Sequence, residues 1–146
     1  MRMPMLCIIV LMQTSAYAIE KMECLGTEPF WGASINDRQL VLDFAGDKRS
    51  YPTPTFKAAA GTGPDYVTSI QARNRSSSVV AFVVNENLKI VADKNGKAPL
   101  EDVQYQAYCS DGMSDRAFPY SIFLTVDGKP FVGCCSTGSN PYKEPH

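Results

Sequence analysis

The sequence predicts an all-β fold, a small antiparallel β-barrel or sandwich stapled by disulfides. Short segments in which apolar and other residues alternate are separated by frequent turn residues, which is the pattern of half-buried strands. No segment of about ten residues carries a convincing helical period. Many short antiparallel strands joined by frequent turns are typical of small barrels and sandwiches.

Residues 1–18, "MRMPMLCIIVLMQTSAYA", have the features of a secretory signal peptide. Arg2 precedes an apolar run, and a small-residue ending at Ala18 predicts cleavage there and a periplasmic or secreted protein. The apolar run is shorter than the roughly 20 residues that span a bilayer, so no integral membrane segment is expected after cleavage. A lipid anchor is disfavoured, because "EKME" precedes Cys24 where an acylation signal would place small residues.

The remaining chain has the length of one domain. We predict a single β domain over 19–135 and a flexible tail over 136–146, where "STGSNPYKEPH" has the composition of a frayed end. The formal net charge is -1, and the lysines and arginines are scattered singly, so nothing favours nucleic acid as a partner. No cofactor is indicated.

The first clear strand is "RQLVLDFA" (38–45), in which Leu40, Leu42 and Phe44 share one face. Pro52 and Pro54 then place the following stretch at a sheet edge or in an excursion, because proline cannot donate to a ladder. Further strands and turns are predicted at "DYVTSIQAR", at "SVVAFVV", at a short loop Asn85-Glu86-Asn87 leading into "LKIVAD", and at Asn95-Gly96.

The clearest hairpin is "YSIFLTVDGKPFVGCC" (120–135). Its Asp127-Gly128 pair stands between two alternating segments, and Asp-Gly is a strong signal for a type I′ turn.

The cysteines predict a disulfide framework. Outside the signal peptide they are Cys24, Cys109, Cys134 and Cys135, an even number in an exported protein. The adjacent pair is a poor partner for itself because vicinal bridges are strained. We favour Cys109 with Cys134, which flank the last hairpin, and Cys24 with Cys135; the crossed pairing is the alternative.

Metal binding is the rival interpretation of these residues. No Cys-x-x-Cys spacing exists and the only histidine is His146, so a zinc site is disfavoured. Oxygen ligands from Asp111, Ser114 and Asp115 would suit calcium, but the spacing of a calcium loop is absent. We therefore predict no metal site.

Two stretches carry a family resemblance. "CLGTEPFWGASI" (24–35) and "CSDGMSDRAFPYSIFLTVDGKPFVGCC" (109–135) resemble the signatures of a family of small bacterial cell-envelope proteins, marked by a G-x-E-P-F-W element and a C-S-D-G-M-S-D element. The resemblance implies an exported, β-rich architecture in the periplasm or on a lipoprotein. It implies no activity.

Both stretches contain candidate binding residues, namely Glu28, Phe30, Trp31, Asp111, Asp115 and Arg116. One interpretation is a shared concave site for a small ligand or a partner's loop. The other is structural: Trp31 is a core or barrel-end plug, because it alternates with Phe30 and only one of the two can face the core.

The loop "CSDGMSDR" has a structural interpretation as well. Asp111 is expected to open an Asx turn, with Gly112 supplying a positive φ. Arg116 is expected to pair with Asp115, Asp111 or Glu28 as a polar clasp. Met113 is expected to be a packing plug.

Catalysis has little support, since a serine or cysteine triad needs an imidazole or an equivalent base. We expect a non-enzymatic binding or scaffold module of the bacterial cell envelope, with an unknown envelope ligand or protein as its partner. One alternative is an inhibitor of host lysozyme that presents the loop 110–116, by analogy of fold and location. A second is a glycan hydrolase that uses the carboxylates of Glu28 and of Asp111 or Asp115.

Overall fold

The computed structural model describes residues 19–61, 66–88 and 108–144. Within these ranges the regular elements are nine strands and one short 3-10 helix. The strands, β1 to β9 in chain order, are Met22–Thr27, Phe30–Ile35, Gln39–Phe44, Asp47–Pro52, Thr55–Ala58, Val67–Arg73, Ser78–Asn85, Tyr120–Val126 and Lys129–Thr137. The helix is Glu86–Leu88, in place of the simple hairpin loop predicted there.

All of these strands belong to one curled antiparallel sheet in the order β4-β3-β2-β1-β9-β8-β7-β6-β5. Apart from β4 and β5, each strand lies beside its neighbours along the chain, and β1 lies beside β9, so the sheet is a nearly cyclic meander. The predicted all-β, disulfide-stapled fold is confirmed, and its form is a half-barrel of one sheet. The predicted signal peptide, most of the "LKIVAD" strand and the Asn95-Gly96 turn lie outside the described residues.

The core fills the concave face of the sheet. Because successive side chains of a strand point to opposite faces, the inner strands bury alternate residues over much of their length. The predicted face of β3 illustrates this, since Leu40 and Leu42 are both 1% exposed and Phe44 packs at the margin of the core. On β8, Ile122 and Leu124 are buried while Phe123 between them is exposed.

The sheet opens between β4 and β5, its two edge strands. Because all neighbouring strands are antiparallel, β4 and β5 run in the same direction and form one bent strand broken at Pro52-Thr53-Pro54. Thr53 has φ 46°, and neither proline offers an N–H to a ladder. The prediction that these prolines mark a sheet edge is confirmed.

One end of the half-barrel is held by a chain of hydrogen bonds between turns. The Tyr51 hydroxyl lies 2.8 Å from Oγ of Ser77, whose hydroxyl donates to the Asp127 carboxylate at 2.8 Å. The amide of Ser78 also donates to Asp127, at 2.8 Å. This amide and the Ser77 hydroxyl hold the pKa of the Asp127 carboxyl below its ordinary value.

Asp127 also confirms the predicted type I′ hairpin. It and Gly128 have φ 51° and 83°, the positive values that this turn requires at both central residues.

Both favoured disulfides are confirmed. Cys24 is bonded to Cys135 across β1 and β9, and Cys109 is bonded to Cys134. Such bonds indicate an oxidising, extracytoplasmic location. In the described segments there is no helix with the length and hydrophobicity to cross a bilayer.

The segment from residue 136, expected to be a flexible tail, is attached to the domain as far as it is described. β9 continues to Thr137, and Lys143 exchanges two backbone hydrogen bonds with Ala117, of 2.9 and 3.0 Å. Composition does not reveal these contacts, because the partners of this segment lie far away in the sequence.

We expect the two disulfides to differ in their contribution to stability. The Cys24–Cys135 bond closes a sequence separation of 111 residues and the Cys109–Cys134 bond one of 25. In the chain-entropy model these loops contribute about 4.8 and about 3.5 kcal/mol. Urea unfolding of the paired Cys→Ala variants should therefore show the larger loss for the Cys24/Cys135 pair. Equal losses would contradict the expectation, and the reduced wild-type chain is the control that should be less stable than either.

Candidate functional site

The "GTEPFW" stretch forms the tight connection between β1 and β2. Thr27 pairs with Phe30 across it, and the Glu28-Pro29 peptide bond is cis. Glu28 is exposed, and Phe30 is 64% exposed whereas Trp31 is 5% exposed. The alternation of the strand therefore sends the two aromatic side chains to opposite faces, as the structural interpretation predicted.

Trp31 plugs one end of the half-barrel. Its ring meets Phe131 edge-on at 6.4 Å between centroids, and Phe131 in turn packs on Phe44 at 5.2 Å. The indole Nε1 donates to the carbonyl oxygen of Val132 at 3.3 Å, so the polar edge of the ring is satisfied. The core interpretation of Trp31 is confirmed.

Two glycines make room for this ring. A Cβ built on Gly26 would collide with the pyrrole edge of Trp31. A Cβ built on Gly133 would lie 2.7 Å from Cζ2 of the same ring and closer still to the carbonyl oxygen of Leu25. Trp31 of the "GTEPFW" motif and Gly133 of "GCC" are thus parts of one packing arrangement.

The "CSDGMSDR" loop lies on the opposite, convex face. Its anchor Cys134 pairs in register with Leu25 and Ser121, residues that alternate with the inward-facing ones. Cys134 is nevertheless 1% exposed, because this loop, tied by Cys109, covers it. The backbones of Cys109 and Phe118 exchange hydrogen bonds of 2.8 and 3.0 Å that close the base of the loop.

Asp111 forms the predicted Asx turn. Its Oδ1 accepts from the amides of Met113 and Ser114 at 3.0 and 2.8 Å, and its Oδ2 accepts from the Ser114 hydroxyl at 2.8 Å. Gly112 has φ 73°, as expected. The backbone hydrogen bonds from Ser114 and Met113 hold the pKa of the Asp111 carboxyl below its ordinary value. Met113, expected to be a packing plug, is instead 65% exposed at the tip of the loop.

Arg116 pairs with a carboxylate that the sequence analysis did not consider. Its Nε donates to Glu144 at 3.1 Å, and its guanidinium lies 4.6 Å from the centroid of the Tyr142 ring. The expected clasp to Asp115, Asp111 or Glu28 is thus replaced by contacts with the C-terminal segment. Tyr142 also packs on Phe118, at 5.3 Å between centroids.

The two motifs meet, but they do not form the shared cavity. The Thr27 hydroxyl donates to the carbonyl oxygen of Asp111 at 2.8 Å, so the loop and the β1–β2 connection touch. A small cavity of about 170 Å³ lies at this junction. It includes Asp111 but not Glu28, Phe30, Trp31, Asp115 or Arg116. Trp31 and Asp111 are kept apart by the sheet itself, since one faces the core and the other the convex surface.

A larger cavity, of about 490 Å³, lies at the end of the half-barrel opposite Trp31. Its wall is mostly apolar, and its polar residues come from four separate strands and, in Glu20, from the segment before β1. The lining residues are Ile19, Glu20, Met22, Ile35, Phe56, Thr68, Ile70, Val83, Asn85, Tyr120 and Thr137. We call this the end cavity.

Hydrogen bonds from the C-terminal segment hold two polar groups of the end cavity. The amide of Ser139 donates to the Glu20 carboxylate at 2.6 Å and its hydroxyl donates there too, which holds the pKa of Glu20 below its ordinary value. The side-chain amide of Asn140 donates to the Tyr120 hydroxyl at 3.3 Å. The rim therefore presents a carboxylate and a phenol in fixed positions.

The sequence analysis missed the end cavity. Its residues come from many short segments, and singly each of them has the pattern of an ordinary core or edge residue. The one available signal was the pair of prolines, since they mark the edge of the sheet to which β5 and its cavity residue Phe56 belong. In the part of the chain that the structure describes, no group of three or more His, Cys, Asp or Glu residues is arranged to hold a metal ion.

The convex face also carries an exposed apolar row. Phe82 on β7 pairs with Phe123 on β8, which pairs with Val132 on β9. The three side chains are 48%, 52% and 63% exposed. Exposed apolar side chains that adjoin one another are unusual on a monomeric protein and often mark a contact surface.

Comparison with protein-family models, with curated proteins and with solved structures finds no match to this chain. The cell-envelope resemblance of the two motifs therefore stays a prediction, and the geometry of the sites carries the functional argument.

We expect Gly133→Ala to destabilise the protein strongly, because the added methyl group has to displace either the Trp31 ring or the backbone of Leu25. Overpacking of this kind costs typically about 1–3 kcal/mol. Urea unfolding followed by the fluorescence of the single tryptophan measures the loss, and the emission should shift as the ring leaves its site.

Gly32→Ala is the matched control, since its Cβ would meet nothing nearer than the Cys24 carbonyl oxygen at 3.8 Å. If both variants unfolded at the same urea concentration as the wild type, the packing argument would be wrong.

Proposed function

We infer that this protein is an exported, non-enzymatic binding module of the bacterial cell envelope and that the end cavity is its ligand site. The observation that carries the proposal is the form of this cavity: about 490 Å³ with a mainly apolar wall and a few polar groups. Ligand sites generally have volumes of about 300–1,000 Å³ and this kind of lining.

The lining indicates which ligands fit. Ile35, Ile70 and Val83 are at most 5% exposed and favour an apolar group at the base of the cavity. Asn85 and the Tyr120 hydroxyl offer hydrogen bonds nearer the C-terminal segment. The Glu20 carboxylate disfavours an anionic ligand at the same rim.

Two further observations support an envelope protein. The disulfides require an oxidising compartment, and the predicted signal peptide leads to the periplasm or to secretion. The "GTEPFW" and "CSDGMSD" motifs, which resemble those of small cell-envelope proteins, take structural roles at Trp31 and Asp111. This division leaves binding to other residues.

The structure does not favour Asp111 as the general acid of the hydrolase alternative. A glycosidase needs one carboxyl group whose raised pKa keeps it protonated as the general acid. Asp111 has a lowered pKa and donates no proton to a neighbour, because its oxygens accept three hydrogen bonds within its own loop.

The neutral apolar dye N-phenylnaphthylamine tests the proposal. We expect its fluorescence to rise on binding to the wild-type protein and its dissociation constant to increase at least about tenfold in Thr68→Trp, where the large ring fills the cavity. Ser69→Trp is the matched control, since Ser69 is the next residue on β6 and faces the other side of the sheet. Equal binding by both variants, or none by the wild type, would refute the end cavity as a ligand site.

Inhibition of lysozyme is a second candidate, favoured by the form of the loop 110–116. The loop is tied by the Cys109–Cys134 bond, braced by Asp111 and exposed at Met113. A loop that is rigid before binding loses less conformational entropy on entering an active-site cleft.

A titration of lysozyme activity with the protein decides this candidate. Micromolar inhibition that Met113→Glu weakens at least about tenfold would support it. Val41→Glu, a half-buried position on the convex face of β3 away from the loop, is the control. Full lysozyme activity at micromolar wild-type protein would end the idea.

A further inference from the structure

We propose that the end cavity receives an extended peptide segment of a partner protein, which adds a strand to β5 and has the pattern apolar, acidic, apolar. The proposal rests on the end cavity being the ligand site and names the class of its partner. Three observations carry it: backbone groups on β5 that no described strand takes up, the cavity beside them, and the charge of Lys57.

The backbone of β5 has an open edge. Thr55 to Ala58 pair with Gln71 to Thr68 of β6, and the next amide, of Ala59, donates to the carbonyl oxygen of Val67 at 2.9 Å. In an antiparallel ladder alternate residues bond to the same neighbour. The N–H and C=O groups of Thr55 and Lys57 therefore face β6, and those of Phe56 and Ala58 face away from it.

No other described strand takes up these groups. β5 is the last strand of the sheet, and its neighbour along the chain, β4, turns away at Pro52-Thr53-Pro54. The free edge of β4 is used differently, since the side-chain amide of Asn74 donates to the Ser50 carbonyl oxygen at 3.1 Å. Open backbone groups of this kind are the template for an added strand, and only an extended polypeptide satisfies them in ladder geometry.

The end cavity lies on the inner side of that edge. Phe56 belongs to both, because its side chain lines the cavity while its backbone lies on the open edge. Ile35, on β2, lines the same cavity. Residues of an added strand that stand opposite Phe56 and Ala58 would point to the concave face, as the Phe56 side chain does. Apolar side chains at those positions would therefore enter the cavity.

The positive charge of Lys57 disfavours a second copy of the chain at the β5 edge and favours an acidic partner. If β5 paired antiparallel with another β5, the open groups of Phe56 and Ala58 would match, and the two Lys57 side chains would stand directly opposite each other. Like charges in that position are unfavourable, and opposite charges are favourable. An acidic residue opposite Lys57 on the convex face therefore completes the pattern.

The test uses the chain from Ile19 onward, labelled with ¹⁵N, and two capped synthetic peptides, Thr-Val-Glu-Val-Thr and Thr-Val-Lys-Val-Thr. We expect the glutamate peptide to shift the amide signals of β5 and of the end cavity and to slow hydrogen exchange at Phe56 and Ala58. It should bind about fivefold more tightly than the lysine peptide, and Lys57→Glu should reverse this preference. An unchanged preference in Lys57→Glu would overturn the proposal.

The variant Ala58→Pro distinguishes peptide binding at the open edge from ligand binding in the cavity. The N–H of Ala58 faces away from β6, so a proline there leaves the existing ladder intact. It does remove a donor that an added strand needs. Peptide binding should fall at least about tenfold in this variant, while N-phenylnaphthylamine binding stays unchanged.

Peptide binding unaffected by Ala58→Pro would refute strand addition. Dye binding without any peptide binding would refute the peptide proposal and leave the end cavity as a ligand site. Failure of both probes on the wild-type protein would refute both proposals.

Discussion

The pairing of β1 with β9 is the constraint on which the rest of the fold depends. It joins strands that are far apart in the sequence, and the Cys24–Cys135 bond secures it across a separation of 111 residues. Bringing such distant strands together is entropically costly. Once it is formed, the β1–β2 connection lies beside the last hairpin, so that the Trp31 ring reaches Gly133 and Thr27 reaches Asp111.

The two faces of this sheet carry different features. The concave face holds the core, with Trp31 closing one end and the end cavity opening at the other. The convex face carries the Asp111 loop over Cys134 and the row formed by Phe82, Phe123 and Val132. Because a strand alternates strictly, neighbours in the sequence such as Phe30 and Trp31 belong to different surfaces. A site made of Trp31 and the Asp111 loop is therefore divided by the sheet.

Much of the fold follows from local rules. The Asp127-Gly128 turn, the alternation at Leu40 and Leu42, and the Asx turn at Asp111 each depend on residues close together in the chain, and all were predictable. The disulfide pairing was predictable because Cys109 and Cys134 flank one hairpin. What escaped prediction is nonlocal: the partner of Arg116 is Glu144, and the end cavity is lined by residues from many separate segments.

The position of the Cys24–Cys135 bond has a mechanical consequence. Met22 pairs with Thr137 at the same end of the β1–β9 ladder from which both adjoining segments depart. A force pulling those two segments apart would break the hydrogen bonds of the ladder one pair at a time. A ladder loaded in this way resists less force than one whose hydrogen bonds are all loaded together. The covalent bond stands at the third residue pair from that end. Opening would stop there, because the covalent bond would carry the load and the sheet beyond it would not be pulled apart.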